Sequence, residues 1–267
     1  MLLSHRLRGF GSPELSAGAL HSACHSSFDF LEIDTRRAKN DIVVAHDPSI
    51  RINGRSIPIS DLDVDELNEH GVMALSRAFD IFRTEKQVGQ KICIDIKDFG
   101  DESRYLDLVH QYGIENSVVF VSWMPSCLVE LHRLDQEVPL VLSFISLLRL
   151  GRLGLVVDQL VQHSVFRLGH IAVFGDGCAD EGVARYPVGF QHGLFSSCLQ
   201  HPVLQALENS SGGVCVPKIC LSKALSDFCT KENISLWVFG YADREELQNC
   251  DITRSADVFF LERPGDD

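Results

Sequence analysis

The chain has 267 residues and a formal net charge of −13, and 45% of its residues are hydrophobic. This length suits one large α/β domain, and the hydrophobic content, with 23% charged residues, is not that of a disordered protein. The acidic balance and the lack of a basic run exclude a nucleic-acid backbone as the expected partner, because binding to a polyanion draws on clustered Lys and Arg.

Short apolar runs alternate with amphipathic stretches along the whole chain, which is typical of repeated βα units. The predicted strands are Met1–Ser4, Phe28–Ile33, Ile42–Ala45, Ile92–Ile96, Val118–Ser122, Leu140–Phe144, Val214–Pro217, Leu236–Phe239 and Asp257–Leu261. The predicted helices are Glu14–Ser26, Ser60–His70, Ala74–Val88, Asp101–Tyr112, Pro125–Leu134, Ser222–Glu232 and Asp243–Asn249. We therefore predict a single-domain (β/α)8 TIM barrel spanning residues 1–267, with a divergent or inserted region in its second half at about 145–213.

Polar pairs follow several of the predicted strands. His5-Arg6 follows the first strand, Glu32 and Asp34 close the second, His46-Asp47 follows the third, and Asp95 and Lys97 end the fourth. Alternation along a strand puts Glu32 and Asp34 on one face, and the same holds for Asp95 and Lys97. Functional groups of such barrels lie at the C-terminal ends of the strands, so these pairs are expected to meet there.

These residue types together indicate phosphate chemistry at a metal ion. Glu32, Asp34 and Asp95 are oxygen ligands of the kind that hold Mg²⁺ or Ca²⁺, and we expect one such ion as cofactor. Arg6 and Lys97 can neutralise the remaining charge of a phosphate group. His5 and His46 can divide the general acid and base roles. Asp95 is open to a second interpretation, a simple salt bridge with Lys97.

The motifs also resemble those of the glycerophosphodiester phosphodiesterases. The shared elements are His5-Arg6, Pro13-Glu14, Glu32-Ile33-Asp34, Val43-Val44-Ala45-His46-Asp47-Pro48 and Asp95-Ile96-Lys97, with weaker likeness in Val121-Ser122-Trp123 and near the C-terminus. The resemblance implies hydrolysis of a small-molecule glycerophosphodiester to glycerol 3-phosphate and an alcohol, a reaction of lipid metabolism. It also implies His5 and His46 as the acid/base pair, Glu32, Asp34 and Asp95 around the metal, and Arg6 and Lys97 on the phosphate.

The sequence departs from the family pattern at several points. Leu7-Arg8 intrude before Gly9, Asp95 stands in place of the usual glutamate, and the usual terminal Thr-Asp reads Leu261-Glu262. Two alternatives therefore stay open. One is a lyase that stops at a cyclic phosphate, as in the related spider-toxin phospholipase D group. The other is a degenerate barrel that binds a phosphorylated ligand without turning it over.

Two further expectations come from the remaining residues. Nine scattered cysteines without a CxxC motif and the absence of about 20 consecutive apolar residues predict a cytoplasmic protein without stable membrane insertion. His21 and His25 share a helix face one turn apart, a possible metal pair, but the predicted layout places them on an outer helix. We expect them to be solvated surface residues, and the sequence leaves the oligomeric state unknown.

Overall fold

A computed structural model of the chain describes residues 1–11, 13–143, 145–146, 190–191, 203–250 and 256–264. Its strands are β1 (Leu2–Ser4), β2 (Phe30–Arg37), β3 (Ile42–Val44), β4 (Ser49–Ile52), β5 (Arg55–Pro58), β6 (Met73–Ala74), β7 (Lys91–Ile96), β8 (Val118–Ser122), β9 (Leu140–Ser143), β10 (Ile145–Ser146), β11 (Phe190–Gln191), β12 (Gly213–Pro217), β13 (Ser235–Tyr241) and β14 (Val258–Leu261). Its helices are α1 (Ala17–Cys24), α2 (Val64–Glu69), α3 (Leu75–Glu85), α4 (Glu102–Tyr112), α5 (Pro125–Leu134), α6 (Val203–Asn209), α7 (Lys223–Lys231) and α8 (Arg244–Gln248).

Eight parallel strands close into a barrel. Their order is β1, β2, β7, β8, β9, β12, β13 and β14, and the pairing of β1 with both β14 and β2 closes the ring. The predicted (β/α)8 fold is therefore confirmed. The predicted strand at Ile42–Ala45 forms as β3, but it pairs antiparallel with β2 and lies outside the barrel.

Alternation along the strands separates two hydrophobic layers. Inward-facing residues fill the barrel interior, and their neighbours pack beneath the helices. On β7, for example, Cys93 belongs to the interior, whereas Ile92 and Ile94 belong to the outer layer. The interior layer consists of Leu3, Phe30, Cys93, Val119, Val121, Val141, Cys215, Trp237, Val258 and Phe260.

The strand β2 runs further than its apolar residues predict. It continues past Asp34 to Arg37, because β3 turns back and pairs with its last three residues. A hairpin of β4 and β5 follows, and its two-residue turn has positive φ at both Asn53 (50°) and Gly54 (80°). Asn-Gly is the sequence that such a primed turn favours, so the dipeptide explains the tight turn of the hairpin.

The long connection in the second half joins two neighbouring barrel strands. Because β9 pairs directly with β12, residues 144–212 form one crossover between the fifth and sixth strands. The region predicted to be divergent coincides with this crossover, and most of it lies outside the described residues. No helix of the described part of the chain is long and apolar enough to cross a membrane.

The first loop lies against the C-terminal end of the chain. Gly9 has φ of 83°, and a Cβ atom there would stand 2.4 Å from Cδ of Pro264. Gly54 also has positive φ, but a Cβ atom there would meet nothing within 4 Å. Both glycines thus have a left-handed backbone, but only at Gly9 would a Cβ atom also clash with a neighbouring residue.

We predict that Gly9→Ala lowers the free energy of unfolding by about 2–4 kcal/mol, because left-handed strain adds to a steric clash. Gly54→Ala is the matched control and should cost about 1 kcal/mol, from strain alone. Urea denaturation of both variants measures the difference. Equal losses would show that the first loop does not pack on Pro264.

Candidate active site at the carboxyl end of the barrel

A pocket of about 360 Å³ opens at the carboxyl ends of the barrel strands. Six of the seven residues predicted to carry the chemistry line it, namely His5, Arg6, Glu32, His46, Asp95 and Lys97. The seventh, Asp34, is only 1% exposed and contacts both Arg6 and Lys97. The structure therefore brings all seven residues together, although they come from four separate stretches of sequence.

Three carboxylates converge within this group. One oxygen from each of Glu32, Asp34 and Asp95 lies within 4.8 Å of the others, and all three residues are buried. Their places follow from the register, since Asp34 of β2 is paired with Asp95 of β7 and period two puts Glu32 on the same face. An all-oxygen set of this kind suits Mg²⁺ or Ca²⁺.

Two cationic side chains neutralise part of this charge. The Lys97 ammonium lies 2.7 Å from Oδ1 of Asp34 and 2.6 Å from Oδ2 of Asp95. The Arg6 guanidinium Nε lies 3.2 Å from Oδ2 of Asp34. With every group ionised, three negative and two positive charges leave an excess of one negative charge in a buried space.

The pKa values of the carboxyl groups reflect this imbalance. Burial raises the pKa of Glu32 well above its ordinary value, and the charges of Asp34 and Asp95 add to the effect. Burial also raises the pKa of Asp95, although Lys97 opposes the shift. The pKa of Asp34 is lowered, because its contacts with Lys97 and Arg6 outweigh its burial. Glu32 is therefore the carboxyl group whose charge is least compensated.

The two interpretations of Asp95 turn out to be compatible. Its Oδ2 accepts a hydrogen bond from Lys97, whereas its buried Oδ1 has no hydrogen-bond partner within the described ranges. A bound divalent cation would satisfy that oxygen and relieve the charge on Glu32. The donor set, the unpaired oxygen and the charge excess all fit such an ion.

The His5 side chain is held by a residue from the other end of the chain. Its Nδ1 lies 2.6 Å from Oε1 of Glu262, which directly follows the last barrel strand. Since a carboxylate only accepts, Nδ1 is the protonated nitrogen of the pair and Nε2 stays free for chemistry. Burial alone would raise the pKa of Glu262, but the hydrogen bond with His5 and the charge of Arg8 lower it to about 2.

The loop around His5 has an unusual backbone. Residues His5–Leu7 form a single 3-10 turn, closed by the Arg8 amide donating to the His5 carbonyl at 3.1 Å. Arg6 and Leu7 both have left-handed φ, 55° and 54°. This turn accommodates Leu7 and Arg8 and lets the Arg6 amide donate to Oε2 of Glu32 at 2.6 Å.

His46 lies on the loop after β3, at the rim of the pocket. Its Nδ1 lies 2.8 Å from Oδ1 of Asp47, and burial lowers its pKa, which favours the neutral imidazole. The backbone carbonyl of His46 accepts a hydrogen bond from Nε of Arg36 at 2.8 Å. Arg36 is buried and is held in turn by Asp98, at 3.0 Å from Nη1.

The sequence reasoning assigned no role to Arg36, Arg8 or Glu262. The position of Arg36 could have been predicted from the sequence, because it lies two residues after Asp34 and therefore on the same face of the strand as Glu32 and Asp34. Glu262 directly follows a barrel strand, as His5 does. Aromatic side chains complete the wall, with Trp123 and Phe239 at 6.1 Å between ring centroids and Phe260 at 6.0 Å from His5.

Comparison with known proteins gives the fold of the chain. No protein-family model and no curated protein matches its sequence. Among solved structures, a protein from Galdieria sulphuraria assigned as a glycerophosphodiester phosphodiesterase has a TM-score of 0.67 at 19% identity, covering 98% of this chain and 94% of its own. An Oleispira antarctica phosphodiesterase in complex with its product sn-glycerol-3-phosphate has a TM-score of 0.66 at 16% identity, covering 99% and 93%.

A third structure agrees with these two. The glycerophosphodiester phosphodiesterase of Agrobacterium tumefaciens has a TM-score of 0.60 at 15% identity, covering 98% of this chain and 96% of its own. The described part of the chain thus has the TIM-barrel fold of these three structures.

We predict that Glu32→Gln stabilises the protein in the presence of a chelator by on the order of 1 kcal/mol. The raised pKa of Glu32 shows that its ionised form is unfavourable in the folded protein, and a glutamine amide cannot ionise. The gain should grow as the pH rises above the ordinary glutamate value, because only the ionised carboxylate is unfavourable in the folded state. Thermal melting at pH 5 and pH 8 measures both effects.

The matched control is Glu102→Gln. Glu102 is another buried glutamate whose burial raises its pKa, but it lies at the start of α4 and not in the pocket. Addition of Mg²⁺ should raise the melting temperature of the wild type and of this control, and should not raise that of Glu32→Gln. A Glu32→Gln protein that is less stable than the wild type at pH 8 would contradict the charge argument.

Proposed function

We propose that this chain hydrolyses a glycerophosphodiester to glycerol 3-phosphate and an alcohol. The single observation that carries the proposal is the buried group of Glu32, Asp34 and Asp95 beside Lys97, in a pocket that also holds two histidines. The likeness in fold to a phosphodiesterase that binds sn-glycerol-3-phosphate supports the same substrate class. The pocket volume of about 360 Å³ suits a small ligand.

Glu32, Asp34 and Asp95 would hold one Mg²⁺ or Ca²⁺ ion. Bound there, the ion would act as a Lewis acid toward a phosphate oxygen and stabilise charge that develops in the transition state. Arg6 and Lys97 add positive charge around the same place, and we assign them to contact the phosphate. Without the ion, Lys97 pairs with two of the carboxylates.

The histidines divide the proton transfers. Burial lowers the pKa of His46, which favours the neutral imidazole, so its Nε2 can take a proton from the attacking water molecule. As the new O–P bond forms and the bond to the alcohol breaks, His5 gives a proton to the leaving oxygen. The ionised Glu262 balances the positive charge of His5 whenever that ring carries a second proton.

Two departures from the family pattern compensate each other in this arrangement. Arg8 belongs to the extended first loop, and Glu262 stands in the altered C-terminal motif. They form a salt bridge with each other, and Glu262 also holds His5. The changes therefore preserve the placement of His5, which favours an enzyme over a degenerate barrel.

The decisive assay incubates a panel of glycerophosphodiesters with the enzyme, with and without a chelator, and follows the products by phosphorus NMR. We expect glycerol 3-phosphate to form only when the divalent ion is present. His46→Ala should lower kcat by about 10²- to 10⁴-fold with an unchanged melting curve. A cyclic phosphate that persists would support the lyase, and ligand binding without any product would support the degenerate barrel.

We further predict that Glu262→Gln lowers kcat roughly 10- to 100-fold and leaves KM within about twofold, because the amide keeps the hydrogen bond but not the charge. Glu14→Gln is the matched control, since Glu14 contacts Nε of Arg8 at 2.7 Å but does not contact His5. Steady-state kinetics measure both. Equal rates for the two variants would remove Glu262 from the mechanism.

A further inference from the structure

A second group of possible metal ligands lies on the outer wall of the barrel. His21 belongs to α1, His25 follows the last residue of that helix, and Glu85 is the last residue of α3. Nδ1 of His21 contacts Oε2 of Glu85, and Nε2 of His25 lies 3.6 Å from the same oxygen. All three ligand atoms lie within 4.8 Å of one another.

The fold explains why these side chains meet. Residues four apart in a helix lie on one face, so His21 and His25 are neighbours, and their ring centroids are 5.2 Å apart. The opposite face of α1 is buried in the same core that α3 joins through Phe79 and Phe82. This packing brings the C-terminal end of α3 beneath the two imidazoles.

We propose that His21, His25 and Glu85 form a second metal site, which takes Zn²⁺ or a similar divalent transition-metal ion. Two imidazole nitrogens and one carboxylate oxygen are a donor set that zinc uses, with a further position open to water. Bonds of about 2.0–2.1 Å in a tetrahedral arrangement place ligand atoms roughly 3.3 Å apart. The 3.6 Å between Nε2 of His25 and Oε2 of Glu85 therefore needs only a small movement, which the exposed His25 side chain can make.

The proposed ion differs in kind from the ion in the pocket. The outer site is rich in nitrogen, and imidazole favours Zn²⁺, Cu²⁺ and Ni²⁺ over Mg²⁺ and Ca²⁺. Both histidine side chains are about 60% exposed, at 59% and 60%, so an ion can reach them from solvent. None of the three ligands is among the described residues that line the pocket.

A nearby thiol does not compete for the ion. Cys24 is 0% exposed and packs in the hydrophobic core beneath α1. Among the described residues, it does not belong to the group whose possible ligand atoms lie within 4.8 Å of one another. The outer site is accordingly a site of two histidines and one glutamate.

Binding would join two helices that neighbour each other on the barrel wall. An ion that binds only the folded chain stabilises it by linkage, in proportion to the logarithm of its concentration. We therefore expect Zn²⁺ to raise the melting temperature by linking α1 to α3. We expect it to have no role in the reaction itself. This effect gives the proposal a readout that does not depend on turnover.

The test titrates Zn²⁺ into the 267-residue chain in excess Mg²⁺, with isothermal calorimetry and thermal melting as readouts. We expect the wild type to bind one more equivalent of Zn²⁺ than His21→Ala/His25→Ala, and Glu85→Gln to bind at that site at least about tenfold more weakly. The increase in melting temperature caused by Zn²⁺ should be smaller in the double variant. Its melting temperature in a chelator and its hydrolytic rate in Mg²⁺ should equal those of the wild type.

The matched control is His110→Ala. His110 and Glu115 form an exposed pair at 3.3 Å, within which only one imidazole contacts the carboxylate. This variant should keep the full Zn²⁺ response. An equal Zn²⁺ stoichiometry in the wild type and the double variant would overturn the proposal and leave an ordinary ion pair at Glu85. If the double variant does not fold, Glu85→Gln alone decides the question through its Zn²⁺ affinity.

Discussion

The burial of three carboxylates at one end of the barrel is the constraint on which the rest of the site depends. Charged groups lose their hydration when they are buried, so such a cluster persists only with compensating charge. Lys97 contacts Asp34 and Asp95, and Arg6 contacts Asp34. Glu32 accepts a hydrogen bond from the backbone amide of Arg6, yet burial still raises its pKa well above the ordinary value. The folded chain therefore disfavours the ionised form of Glu32, which a divalent cation at this place would stabilise. The proposed metal site would account for carboxylates that are costly to bury.

The first loop and the C-terminal segment show how an altered motif can retain its geometry. Insertion of Leu7 and Arg8 lengthens the turn after β1, and the left-handed backbone of Arg6 and Leu7 takes up the extra length. The inserted Arg8 then contacts Glu262, which in turn fixes His5. In the sequence, the longer first loop and the altered C-terminal motif are two separate departures from the family pattern. In the structure, Arg8 of the first and Glu262 of the second contact each other. The left-handed backbone of the loop costs free energy, which these ion pairs help to offset.

Much of this site follows from local sequence pattern, and the rest depends on tertiary contacts. The period of two predicts that Glu32 and Asp34 share a face, because it depends only on the strand conformation. The extension of β2 to Arg37 could not be read in the same way, since it arises when β3 pairs with it. Glu262 lies 257 residues from His5, and no local pattern relates the two. The general rule is that strands and their faces are local properties, whereas partners across the barrel are not.

Contacts between an imidazole and a carboxylate occur at several places in this chain. The chemistry that each contact supports depends on how many imidazoles share one carboxylate. Glu262 holds one ring and Asp47 holds one ring, so each fixes a tautomer and leaves the other nitrogen for a proton. Glu85 instead has two rings beside the same oxygen. Two imidazole nitrogens and one carboxylate oxygen thus converge on one place, where a divalent cation could bind all three groups at once. The same residue types thus suit the acid–base chemistry proposed for the barrel mouth and the metal binding proposed for its outer wall.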